Sequence, residues 1–169
     1  QAACDSPERV AFLASAGFTR AILARELSID DIQAIHRVAD IELEAFVYGA
    51  LCVGESGHCY LSGAICERSG NRGECAQPCR KRYELKDASG NPVTAPKHLL
   101  SLKDLDLSGH LADLAGAGIS SFKIEGRMKD LNYVKNVTAW YRRKLDAFLS
   151  GNPGYRKGSS GYTRYDFEP

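Results

Sequence analysis

The chain has 169 residues, of which 44% are hydrophobic and six are cysteine, and its formal net charge is +1. That length and apolar share suffice for one buried core, while a charge so near zero argues neither for nor against a polyanionic partner. No apolar run approaches the roughly 20 residues of a membrane helix and no basic segment leads into an apolar one at the N-terminus, so neither a helical span nor a signal peptide is expected and the compartment expected is the reducing cytoplasm.

In chain order, Asp5-Ser6-Pro7-Glu8 reads as a helix start, with Val10, Leu13 and Ala14 on one face and Gly17 as the stop. Thr19 to Arg25 reads as a strand. Ser28, with Asp31 three positions on, caps a second helix whose Ile29, Ile32 and Ile35 recur at helical spacing. Ile41, Leu43, Ala45 and Val47 then alternate with Glu42, Glu44, Phe46 and Tyr48, a period of two that predicts a strand with carboxylates on its second face. Carboxylates there are costly if buried unless they are paired or functional.

The regular pattern fails from about 49 to 82, a cysteine-rich insertion whose glycines allow tight folding. Residues 83 to about 97 carry a turn-rich segment, Asp87-Ala88-Ser89-Gly90-Asn91, that predicts a hairpin. Leu99 to Leu102 is a short strand candidate. Leu107, Leu111 and Leu114 mark a helix ended by Gly116 or Gly118, and Ile119 to Ile124 a further strand. Val134, Val137, Tyr141, Leu145 and Phe148 form one stripe of a long helix from about Asp130 to Leu149. Residues 151–169 read as a Gly-Ser-rich loop or tail.

Strands alternating with helices predict an α/β fold with a parallel sheet. About four strands are half of what a closed (β/α)₈ barrel needs, so the expectation is a partial barrel-like domain over residues 1–150. A chain that begins at Gln1 without an initiator methionine is expected to be a fragment of a longer protein, inactive alone. Open sheet edges make a homodimer of the fragment a further expectation.

Cys52, Cys59, Cys75 and Cys79 are separated by six, fifteen and three residues. Four thiolates so gathered read as a soft metal site suited to zinc, copper(I) or an iron–sulfur cluster. Structural zinc favours two close pairs, and only Cys75 and Cys79 form one, which tilts the spacing toward a cluster and leaves zinc open. Disulfides fit poorly, since six cysteines in 169 residues do not make a disulfide scaffold. Cys4 and Cys66 read as small core residues, with Cys66 as the substitute ligand. Arg68, Arg72, Arg80, Lys81 and Arg82 lay a basic patch on the same segment, either a solvated loop or a phosphate-binding surface.

Three separated segments resemble peptidase family U32, the so-called collagenase-like proteases. They are Glu44 to Cys52 followed by Gly57 to Ser62, Asn71 to Arg80, and Ser121 to Lys129. The resemblance implies a barrel-like α/β domain, a four-iron, four-sulfur cluster on Cys52, Cys59, Cys75 and Cys79, and support of RNA hydroxylation, with Cys-Ala-Gln-Pro-Cys resembling the RNA-modifying branch. Members also support ubiquinone hydroxylation. In aerobic preparations the site is expected to hold zinc or nothing. Members often carry histidine in place of Tyr48 and arginine in place of His58, so the chemistry beside the cluster is expected to differ.

The chain has no Gly-x-Ser-x-Gly or His-Glu-x-x-His segment, and His36, His58, His98 and His110 are scattered, so proteolysis is the weaker chemistry. The alternatives to an RNA-hydroxylating iron–sulfur enzyme are a collagenase-like peptidase and a non-catalytic metal-stabilised binding domain. Glu44 and Glu125 are the candidate catalytic carboxylates, or else form structural ion pairs with Arg127 or Lys123. Arg72, Arg80 and Arg82 are candidate contacts to RNA phosphates, and Arg127 a candidate clamp for a small acidic cosubstrate.

Overall fold

Ser6 accepts the amide of Arg9 and Pro7 occupies the first turn, so α1 (Pro7–Ser15) begins where the capping pattern predicts. The computed structural model describes residues 2–127 and 129–158. The helix α2 (Ile29–Val38) opens on a full capping box, Ser28 and Asp31 each bonding the other's amide. Between the two helices runs β1 (Arg20–Ile22), shorter than the predicted strand. The alternating segment forms β2 (Glu42–Ala50), which buries Leu43, Ala45 and Val47 on one face.

The sheet has four strands, and β2 is the hub. It pairs in parallel with β1, Ala21 opposite Leu43, and with β4 (Ile119–Ile124), Phe46 opposite Lys123. Its last residues pair antiparallel with β3 (Asp104–Asp106), Gly49 opposite Leu105. The α/β expectation therefore holds as a mixed, open sheet containing parallel strands. Against one face of β2 lies a core of Val10, Ile35, Leu43, Val47, Leu111, Leu114 and Ile119, the arrangement expected when helices connect parallel strands.

The helices α4 (Leu111–Gly116) and α5 (Leu131–Gly151) complete this part. Asp130 caps α5 by accepting the amide of Tyr133. One buried side chain ties α5 to the sheet: the Tyr141 hydroxyl donates to the Val47 carbonyl at 2.7 Å and also lies 3.0 Å from an Asp106 carboxylate oxygen. Tyr48 packs between Tyr133 and Tyr141, with ring centroids 5.9 and 5.7 Å away.

The chain divides into two compact units. The sheet unit comprises Cys4–Ala50 and the chain from Asp104 onward, and the cysteine unit Leu51–Lys103 with Ala2 and Ala3. The chain leaves the sheet at Ala50 and returns at Asp104, its partner in register. Inside the cysteine unit the predicted hairpin is present as bridges between Tyr83 and Lys97 and between Lys86 and Pro92, with the Asp87 carboxylate accepting the amides of Ser89 and Asn91 across the turn.

Three expectations are corrected. Leu99 to Leu102 form no strand: Ser101 donates to the His98 carbonyl in a turn, and Leu99, Leu100 and Leu102 are exposed. The strand lies instead at Asp104–Asp106, whose aspartates have poor strand propensity and are held by pairing to Tyr48, Gly49 and Ala50. The segment expected to be irregular contains a helix, α3 (Leu61–Cys66), ended by Glu67 in the left-handed region at φ 55°. The long helix runs to Gly151, two residues beyond expectation. Met128 and the tail from 159 lie outside the described residues.

Gly49 has φ +117°, and a Cβ there would run into the Glu125 carbonyl oxygen. Both the backbone conformation and the close approach of β2 to the end of β4 require glycine. Gly49→Ala is expected to lower stability by about 3 kcal/mol, measured by urea unfolding.

Candidate metal centre and carboxylate face

The cysteine unit builds its site from backbone turns. Cys52 follows the end of β2, Cys59 precedes α3, and Cys79 sits in a single 3-10 turn, Pro78–Arg80. Gln77, at φ 53°, precedes that turn and donates its amide to the Cys75 sulfur at 3.3 Å. The Cys75-to-Cys79 loop is thereby folded back on itself, with a left-handed non-glycine residue at its centre. Ser62 of α3 is fully buried and accepts the amide of Ala76 at 2.9 Å. Asn71 accepts the amide of Cys59 at 3.1 Å. A Cβ on Gly54 would press on the Cys59 side chain.

All six cysteines are free, and the four expected ligands are half-buried. Burial pushes the Cys79 thiol up, and the neighbouring Cys52, Cys75 and Cys59 push it further against the opposing charge of Arg80. All four sulfurs therefore share one electrostatic neighbourhood. As placed, no three His, Cys, Asp or Glu side chains among the described residues form a group that could hold a metal ion. The donor set is four free, half-buried thiols that gather without closing on a point, and its chemistry fits a soft, sulfur-ligated centre. Cys66 is half-buried at the end of α3, and Cys4 is buried in the core of the sheet unit.

The basic residues divide in use. Arg72 is exposed in the turn Gly70–Arg72, and Arg68 and Lys81 are exposed as well. Arg80 instead spends its guanidinium on Leu51, Ser101 and Leu102, and Arg82 spends its own on the Pro96 carbonyl at 2.7 and 3.1 Å. Charge counting could not separate these roles, because both kinds of arginine read alike in sequence.

In the sheet unit, the second face of β2 carries a ladder of paired charges. Glu44 is buried, takes a hydrogen bond from Ser121 at 2.8 Å, and is paired with Arg20 at 3.2 Å and Lys123 at 3.6 Å. Arg20 also bonds Glu42 at 2.8 Å. Glu125, just past β4, faces Arg25 at 3.7 Å. Arg25 and Lys123 both approach the Phe46 ring, at 4.7 and 4.9 Å from its centroid.

Lys123 is the partner of Glu44 that the sequence suggested, while Arg127 is exposed beyond β4. Arg20, Arg25 and Phe46 were not singled out. Arg20 faces Glu42 only because β1 and β2 run parallel in that register, although its place in a predicted strand was a usable signal. Glu44 and Glu125 do not stand together along the sheet: Glu44 is the third residue of β2, beside Ser121, whereas Glu125 follows Ile124.

A family model described as Peptidase family U32 matches residues 1–163. Over 168 residues the chain is 51% identical to the 23S rRNA 5-hydroxycytidine C2501 synthase of Escherichia coli, a match covering 98% of this chain and 26% of that protein. Its identity to the tRNA hydroxylation protein P1 of Bacillus subtilis is 39% over 147 residues, covering 83% of this chain and 35% of that one. A Porphyromonas gingivalis protein named collagenase is 38% identical over 143 residues, covering 77% and 34% respectively. The chain thus spans roughly a quarter to a third of the length of these relatives. No solved structure gives a significant match.

Glu44→Ala is expected to cost about 2 kcal/mol in urea unfolding by leaving Arg20, Lys123 and Ser121 without their shared acceptor, with Glu44→Gln losing less because it still accepts from Ser121. Burial, then the charge of Asp104, raises Tyr133 to about 12. A group raised on folding keeps its stabilising effect below the unfolded value near 10 and loses it as pH climbs through 12. The difference between wild-type and Tyr133→Phe in ultraviolet titration should therefore show one phenol ionising near pH 12.

Proposed function

The chain belongs to peptidase family U32, and from that premise we propose that it is part of an RNA-hydroxylation protein holding a four-iron, four-sulfur cluster on Cys52, Cys59, Cys75 and Cys79. The observation that carries the reading is the 51% identity to an rRNA 5-hydroxycytidine synthase, sustained over 98% of the chain. The relatives named for tRNA hydroxylation support the same substrate class. Four free thiols in one neighbourhood support the cluster, which needs the reduced sulfurs that the cytoplasm maintains. Three parallel strands joined by helices support a reading of the sheet unit as part of a (β/α) barrel.

The cluster, when bound, supplies one-electron chemistry that side chains lack. The chain's own residues do the rest. Cys52, Cys59, Cys75 and Cys79 donate thiolate sulfur, and the amide of Gln77 bonds the Cys75 sulfur, a contact of the kind that tunes such centres. Arg72, Arg68 and Lys81 offer exposed cations for RNA phosphates, where charge gives affinity without sequence preference. Arg127, exposed beyond β4, offers its fork to a small acidic cosubstrate. Peptidase chemistry has weaker support: burial raises the Cys4 thiol, the wrong direction for a nucleophile.

No described helix is long and apolar enough to cross a membrane. The test uses the full-length protein purified without oxygen. It should hold about four iron and four sulfide per chain. In cells lacking the protein, the wild-type gene should restore hydroxylated pyrimidine in RNA, read by nucleoside mass spectrometry, and a Cys52→Ser variant should not. Restored modification by the Cys52→Ser variant would remove the cluster from the reading, and unmodified RNA with the wild-type gene would remove the activity.

A further inference from the structure

Arg80 follows Cys79 in the chain, and its side chain reaches back to the residue before Cys52. One guanidinium nitrogen donates to the Leu51 carbonyl at 2.6 Å, and the other to the Ser101 hydroxyl at 2.7 Å and the Leu102 carbonyl at 2.8 Å. Its amide donates to the Gln77 carbonyl at 3.0 Å, and its own carbonyl lies 2.8 Å from His98 Nδ1. The 101–102 segment and the Leu51 carbonyl thus converge on one side chain. Leu51 and Arg80 are 29 positions apart, so this one side chain ties the residue before the first cysteine to the residue after the last.

We propose that Arg80 is the positioning residue of the cysteine centre, its guanidinium locking the backbone before Cys52 to the turn that carries Cys79, so that the first and last thiols of the set are held in place to receive a cluster. The inference rests on the cluster reading for its ligand, and on geometry alone for the lock. The three acceptors lie on two nitrogens of one planar fork. A charged donor makes stronger bonds to carbonyls than a neutral one, and the partly buried Leu51 carbonyl stripped of its donor is left costly. Lysine, a point charge on a flexible stem, cannot bridge the same three acceptors. Its positive charge beside the thiolates would still favour the more reduced, more negative state of a bound centre.

Arg82 supplies the control. It too is an arginine bonded to a backbone carbonyl, two positions on, but it ties only Pro96 within the hairpin. The experiment compares the full-length wild-type protein with Arg80→Ala, Arg80→Lys and Arg82→Ala, all prepared anaerobically. Three readouts are taken: the rate of iron loss to a chelator, the midpoint potential of the bound centre, and the affinity of metal-free protein for cadmium, followed by sulfur-to-cadmium charge-transfer absorption.

Both Arg80 variants are expected to lose iron about tenfold faster and to bind cadmium about tenfold more weakly, the usual effect of removing a group that orients metal ligands. Arg82→Ala should match wild type in both. The potential should fall in Arg80→Ala and stay near the wild-type value in Arg80→Lys, a split that loss of folding alone would not produce. Iron loss and cadmium affinity within twofold of wild type in both Arg80 variants would overturn the lock, as would full rescue by lysine or equal loss in Arg82→Ala. Wild-type protein that takes up no iron, while the cadmium difference persists, would refute the cluster and leave the lock standing.

Discussion

The close pairing of β2 with β4 is the constraint on which the sheet unit depends. Five residue pairs run from Leu43 opposite Ile119 to Tyr48 opposite Ile124, and beyond them the Glu125 amide donates to the Tyr48 carbonyl at 2.8 Å. The approach is possible only because Gly49 has no side chain to meet the Glu125 carbonyl. From that seam follow the buried face toward α2 and α4, the charged face around Glu44, and the point at which the chain leaves for the cysteine unit. Tyr141 reinforces the same strand from α5 by bonding the Val47 carbonyl, which also accepts the Leu107 amide at 2.9 Å.

The charged face shows how a sheet tolerates a buried carboxylate. Glu44 would be expensive alone, but it has a hydroxyl and two cations within reach. Arg20 divides itself between Glu42 and Glu44, while Lys123 and Arg25 converge on Phe46. The ladder leaves the three carboxylates matched by three cations, so this surface is neutral in sum and directional in detail.

The cysteine unit works on a different principle. It has one short helix, two short 3-10 turns and a hairpin held by isolated bridges, and side chains that bond main-chain groups add to its backbone order: Ser62 to Ala76, Asn71 to Cys59, Arg80 to Leu51 and Leu102, Arg82 to Pro96. A loop region organised in this way can present four sulfurs without a hydrophobic core beneath each one. It also engages two arginines of the basic patch, Arg80 and the exposed Arg82, in bonds to backbone carbonyls, while Arg68, Arg72 and Lys81 are exposed.

The elements that depend on local chemistry were legible in the sequence by itself. Capping at Ser6 and Ser28, the period of two in β2, the long helix α5 and the Asp87 turn each reflect interactions within a few residues, and each reappears in place. The four cysteines, by their type and closeness in the chain, suggest soft-ligand chemistry on equally local grounds. Tertiary structure alone decided the rest. The strand at Asp104–Asp106 owes its conformation to β2 and not to its own residues, and Leu99 to Leu102, though apolar, found no partner strand. Which arginines face solvent, and which carboxylate meets which cation, depends on register and on chain segments tens of residues apart, and no local pattern carries that information.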